Sequence, residues 1–76
     1  MIEGKQIRAA RALLDWSRDE LIAKSGVSPS ALLRLEGGLA DSRSSTLNKL
    51  INALTNEGIE FISQPDGSVG VLVRAK

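Results

Sequence analysis

Seventy-six residues with ten basic and nine acidic side chains make one small, nearly neutral domain. Cysteine and histidine are both missing, which excludes disulfides, thiolate or imidazole metal sites and nucleophile–histidine pairs, and no cofactor is expected. No apolar run approaches the ~20 residues of a membrane span and no signal-peptide pattern is present, so a cytoplasmic location away from the membrane is expected.

Such a chain buries only about 60% of its unfolded surface, and a partner subunit would supply core that it lacks. Residues 1–50 hold eight basic and six acidic side chains, residues 51–76 two and three. The excess of positive charge in the first part is slight. Any potential aimed at an anionic partner must therefore come from the placement of a few arginines rather than from bulk charge.

In chain order, Met1 to Gly4 reads as a lead-in. Lys5 to Asp15 is Ala- and Leu-rich, with Ile7, Ala10 and Leu14 spaced along one helical face. Trp16 precedes Ser17, and Ser17-x-x-Glu20 has capping-box spacing. Leu21 then stands where a hydrophobic-staple partner of Trp16 belongs, which favours a core-covering Trp16 over a base-stacking platform. A second helix over Arg18–Lys24 follows, with Glu20 and Lys24 spaced for an i,i+4 pair. Gly26 can end it in the left-handed region. Ser28-Pro29 opens a third helix as cap and first residue, and Gly37-Gly38 stops it after Glu36.

Two helices joined by so short a turn, with Leu21, Ile22, Val27, Leu32 and Leu35 to lock them, form a helix-turn-helix pattern. Leu39 to Ser45 reads as a polar loop containing Arg43. The stripe Leu47, Leu50, Ile51, Leu54 predicts a fourth helix over about Ser45–Asn56, ended by Gly58. The period then changes. Ile59–Ser63 and Val69–Arg74 flank Gln64-Pro65-Asp66-Gly67-Ser68, a five-residue hairpin loop with turn chemistry. Ile59 and Phe61 alternate onto one face of this hairpin, as do Val69, Val71 and Val73, while Ile62 and Leu72 fall on the other. Apolar residues on both faces of a two-stranded element predict pairing with a second copy. Ile59, Phe61, Ile62, Val71, Leu72 and Val73 are the expected interface residues.

The segments Trp-Ser-x-x-Glu-Leu, Ala23, Ser-Gly-Val-Ser, Leu-x-Leu-Glu-Gly-Gly and Ser-Thr-Leu-x-Lys-Leu, in this order over about Ile7 to Leu54, resemble the phage-repressor, Cro/XRE-type helix-turn-helix family. The resemblance implies a four-helix DNA-binding domain; joined to the hairpin read from the residues, the fold expected is mainly α, with residues 1–58 as the helix-turn-helix domain and residues 59–76 as a C-terminal β-hairpin, the expected dimerisation element of the same domain. It implies that the third helix enters the major groove of double-stranded DNA and that a homodimer binds a palindromic operator.

Position by position, the resemblance puts Arg18 on a phosphate, and Ser28, Pro29 and Ser30 at the opening of the recognition helix. Arg34 lies one turn further, where it would read guanine O6 and N7. Pro29, limited to apolar contact, could meet a thymine methyl. Arg43 would grip the backbone from the following loop, and Arg11 with Glu36 would form a structural salt bridge. Alternatives are a merely solvated Arg18 and an Arg34 paired with Asp41. Lys5 and Arg8 are weaker candidates for backbone contacts.

The function expected is a dimeric, sequence-specific transcriptional regulator of repressor type, not an enzyme, with no small-molecule ligand. The alternative is a protein-interaction module of antitoxin or antiactivator type whose hairpin binds a partner protein. Gly37-Gly38 lacks the pattern of a phosphate-binding loop, and Ser28, Ser30, Ser44 and Ser45 are explained as caps and loop residues.

Overall fold

Ser17 and Ser28 each stand one residue ahead of a helix. In the computed structural model, which describes residues 2–38 and 44–75, both cap as their spacing predicts. The elements are α1 (Gly4–Leu14), α2 (Arg18–Ser25), α3 (Pro29–Glu36), α4 (Ser44–Thr55), β1 (Ile59–Ser63) and β2 (Val69–Val73). The architecture is four helices and an antiparallel two-stranded hairpin.

Ser17 Oγ accepts the Glu20 amide at 3.1 Å while Glu20 Oε1 accepts the Ser17 amide at 3.2 Å, so two orphan donors are satisfied reciprocally. Lys24 does not complete the expected pair with Glu20. Its ammonium sits 5.7 Å from the centroid of the Trp16 ring, within cation–π range. Gly26 closes α2 at φ 76° with its N–H on Ile22 O, 2.9 Å away. At the end of α3 it is Gly38, at φ 80°, that takes the left-handed conformation.

Several boundaries differ from the sequence expectation: α2 runs on to Ser25, and α4 starts at Ser44 and ends at Thr55. Gly4 is the first residue of α1 rather than part of a lead-in. That helix stops at Leu14, because Asp15 takes the left-handed region at φ 58°. β2 ends at Val73, and the Arg74 N–H donates to Gly58 O at 2.9 Å, closing the base of the hairpin.

Leucines and isoleucine from every helix and from β1 meet in one core. Ile7, Leu21, Leu32, Leu50 and Leu54 are fully enclosed, joined by Ala10, Val27, Leu35, Ala53 and Ile59. Leu14, Trp16, Ile22, Leu47, Phe61 and Val71 pack around them. The hairpin pairs Ile59 with Val73, Phe61 with Val71 and Ile62 with Gly70. It lies on α1 and α4, whereas α3 lies on α1 and α2.

Gln6, which no periodicity singled out, is 2% exposed. Its Nε2 donates to the carbonyls of Ile62 and Gly70, at 3.1 and 3.0 Å, one on each strand. Its Oε1 accepts the Glu3 amide at 2.7 Å. A side chain with donors and an acceptor is needed because the strands' carbonyls here face a helix rather than water. No helix among the described residues is long and apolar enough to cross a membrane.

The start of α1 approaches the end of α3 so closely that a Cβ on Gly4 would lie 1.8 Å from the Leu35 carbonyl oxygen. Alanine favours a helix interior over glycine by up to about 1 kcal/mol, but this clash is with backbone and can be relieved only by separating the two helices. Gly4→Ala is therefore expected to destabilise the domain by about 1–3 kcal/mol, the usual range for overpacking. Urea denaturation checks this, and an unchanged midpoint would show that α1 and α3 are not in backbone contact.

Candidate nucleic-acid interface

Helix α3 buries one side and presents the other. Leu32, Leu35 and Glu36 face inward, whereas Pro29, Ser30, Leu33 and Arg34 are exposed. Ser28 caps the helix, its Oγ accepting the Ala31 amide at 3.3 Å, and Pro29 occupies the first turn, where a missing N–H costs nothing. Among the described residues Ser30 and Arg34 have no hydrogen-bond or ion-pair partner. The Arg34 guanidinium, with five donors in a fixed fork, belongs to this exposed side. Arg43 and the alternative Arg34 partner Asp41 lie outside the described residues.

Glu36 ends α3 with a carboxylate that is 1% exposed. Arg11 of α1 donates to it through Nε at 2.7 Å and Nη2 at 3.0 Å, a two-point fork. Arg18, the first residue of α2, donates through Nε to Oε1 at 2.9 Å. Arg8 adds a bond from Nη1 to the Glu36 carbonyl, at 3.3 Å, which places a cation at the negative end of the α3 dipole. Arg11 also donates to Trp16 O at 3.0 Å. Sequence reading paired Arg11 with Glu36, and the structure brings these two together with Arg8 and Arg18 as well.

Arg18 is accordingly not an isolated surface charge. Its side chain is 49% exposed, and only Nε is engaged among the described residues. With Arg8 and Arg11 it gives this corner three positive charges against one negative. Lys5, by contrast, is on the surface 3.6 Å from Glu3. Burial pushes the Glu36 carboxyl up, but the hydrogen bonds and charges of Arg11 and Arg18 outweigh that and hold it below the ordinary glutamate value.

The hairpin residues expected at a subunit interface divide into two groups. Ile59 is 4% exposed, and Phe61 and Val71 pack on the same core. These three serve the chain's own interior, because α1 and α4 cover their face. Ile62 lies on the opposite, partly exposed face with Leu72, and Val73 is exposed at the strand end. On that outer side Glu60 pairs with Arg74.

Leu33, which sequence reading left without a role, is 56% exposed on α3. Its position one turn after Pro29, away from Leu32 and Leu35, was the signal that could have found it.

A family model described as helix-turn-helix matches residues 7–59. The chain is similar to an uncharacterised HTH-type transcriptional regulator of Mycobacterium bovis, 35% identical over 78 residues, covering 96% of this chain and 30% of the relative. Counterparts of the same description in two strains of Mycobacterium tuberculosis are similar to the same degree. The chain spans 30% of the length of the curated relatives it matches.

Because the Glu36 carboxyl titrates below its unfolded value, its contribution is present above about pH 4.3, the ordinary glutamate value, and is lost as the pH falls through the folded value. Replacing the acid leaves Arg11 nearly buried and unpaired, which in a fully buried pair costs about 3–5 kcal/mol. Arg18 is half in water, so Glu36→Gln should fall at the low end of that range at pH 7. The gap between wild type and variant should shrink on acidification below pH ~4. Urea titrations at both pH values measure this, and a gap independent of pH would mean that the carboxylate is not what Arg11 and Arg18 hold.

Proposed function

The chain belongs to the Cro/XRE-type helix-turn-helix family, and on that premise we propose that it is a sequence-specific DNA-binding transcriptional regulator. In this reading it is a cytoplasmic repressor that acts as a homodimer on an inverted-repeat operator. The observation that carries the proposal is the exposed outer face of α3, with Ser30 and an Arg34 that has no partner among the described residues, on a helix whose far end is anchored through Glu36.

α3 enters the major groove. Arg34 reads guanine O6 and N7 with its two-pronged fork, and Ser28 and Ser30 reach phosphate or base edges near the helix start. Arg18 contributes a phosphate contact through the groups that Glu36 leaves unused, and Arg43 a second one. Contacts of this kind position the domain without reading sequence.

The dimensions of the domain support the dimer reading. The chain measures 29 × 29 × 18 Å between Cα atoms, while half-sites on successive turns of DNA lie about 34–36 Å apart. One copy therefore serves one half-site. The outer face of the hairpin, with Ile62 and Leu72, together with Val73 exposed at the strand end, is the surface proposed to meet a second copy.

Selection of bound sequences from random double-stranded DNA tests the function. An inverted repeat with half-sites about one helical turn apart is expected, and no enrichment would overturn the reading. On the selected operator, Arg34→Ala should cost about 1–3 kcal/mol and relax preference at one position per half-site. Arg18→Ala and Arg43→Ala should weaken all sequences alike and each lower the salt slope by about one. An unchanged slope would return Arg18 to a purely structural part.

Leu72→Asp should give a monomer with greatly weakened operator binding, since dimerisation would bury an unpaired charge. Sedimentation decides this. A variant that stays dimeric would move the interface to the helices, whereas a wild type that is monomeric even at high concentration would favour a hairpin that binds another protein.

A further inference from the structure

The exposed side of α3 carries two rows of side chains at i,i+4 spacing. Ser30 and Arg34 form a polar row, and beside it Pro29 and Leu33 form an apolar one. Leu33 is not needed by the core, whose share of α3 is filled by Leu32 and Leu35 at 0% and 9% exposure. At 56% it is the most exposed of the large hydrophobic side chains among the described residues. It carries no polar atom, so on DNA it can contribute only apolar contact.

The major groove offers one apolar group, the C5 methyl of thymine, beside the donors and acceptors of the other base edges. The geometry points to Leu33 as a specificity-determining residue that packs on the 5-methyl group of a thymine next to the guanine read by Arg34.

This inference rests on the DNA-binding reading of α3. Leu33 and Arg34 are consecutive, one in each row, so their tips address neighbouring base pairs. Pro29 stands four residues earlier, about 6 Å along the helix axis, close to two base steps of about 3.4 Å. The apolar row thus runs along the groove as a track for pyrimidine methyls, parallel to the hydrogen-bonding row. A thymine methyl buried against Leu33 is worth about fourfold in affinity, the effect of removing one methyl-sized group from water.

The experiment uses the operator obtained by selection and replaces each thymine of a half-site in turn with deoxyuridine, which differs only in lacking the methyl. Wild-type protein should lose about fourfold at one position adjacent to the Arg34-dependent guanine. Leu33→Ala, which removes no buried group, should bind the intact operator more weakly and show no further loss at that position, while its response to the other substitutions stays as in wild type. Leu33→Met, which keeps an apolar tip, should retain sensitivity to the methyl.

A Leu33→Ala protein with the same deoxyuridine profile as wild type would overturn the assignment. So would a variant whose only change is a weaker dimer, since Leu33 would then face a second subunit. Failure to select any sequence would overturn the DNA-binding reading itself, and that result is obtained before a Leu33 variant is made.

Discussion

The buried carboxylate of Glu36 is the constraint on which the helical part of the molecule depends. Removing an ion of this kind from water costs several kcal/mol unless it is paired, so Glu36 can remain enclosed only while Arg11 and Arg18 stay in place. Arg11 comes from α1 and Arg18 from the first turn of α2, and Arg8 of α1 holds the Glu36 carbonyl as well. Three helices therefore cannot shift independently. Well-packed apolar side chains could stabilise the same space as much or more. What the charged cluster adds is direction: a two-pronged guanidinium meets a carboxylate in few orientations, and α3 is the helix thereby oriented.

Around this corner the apolar core does the undirected part of the work. Its members come from all four helices and the first strand, which suits a chain too small to leave any element without a share. The hairpin would be marginal by itself. Ile59, Phe61 and Val71 tie its inner face to the core, and Gln6 ties its backbone to α1 with one bond to each strand. In the turn, the Asp66 carboxylate accepts the Ser68 amide at 2.9 Å and is held below its ordinary pKa by that bond.

The consequence for function is a separation of surfaces. Structural demands on α3 fall on Leu32, Leu35 and Glu36, which leaves Ser30, Leu33 and Arg34 free to be chosen for what they touch. The hairpin packs on α1 and α4, whereas α3 packs on α1 and α2. Arg18 belongs to both domains of interest, since the bond that buries Glu36 uses its Nε while its side chain is half exposed.

By itself the sequence determined much of what has a local cause. Ser17-x-x-Glu20, Ser28-Pro29 and Gly26 set helix ends through bonds and dihedrals that span four residues or fewer, and Pro65-Asp66-Gly67 set the hairpin in the same way. The leucine stripes of α3 and α4 were legible because helical period alone puts their residues on one face. Only the tertiary structure decided which partners those faces and charges would find. Arg18 reaches Glu36 across 18 positions and Gln6 reaches Gly70 across 64, distances over which no periodicity carries information. The hairpin showed two apolar faces in sequence, and which one turned inward depended on where α1 and α4 lay. Leu33 and Leu32 are the same residue type side by side, and the packing of α3 on α1 and α2 is what left one of them in water.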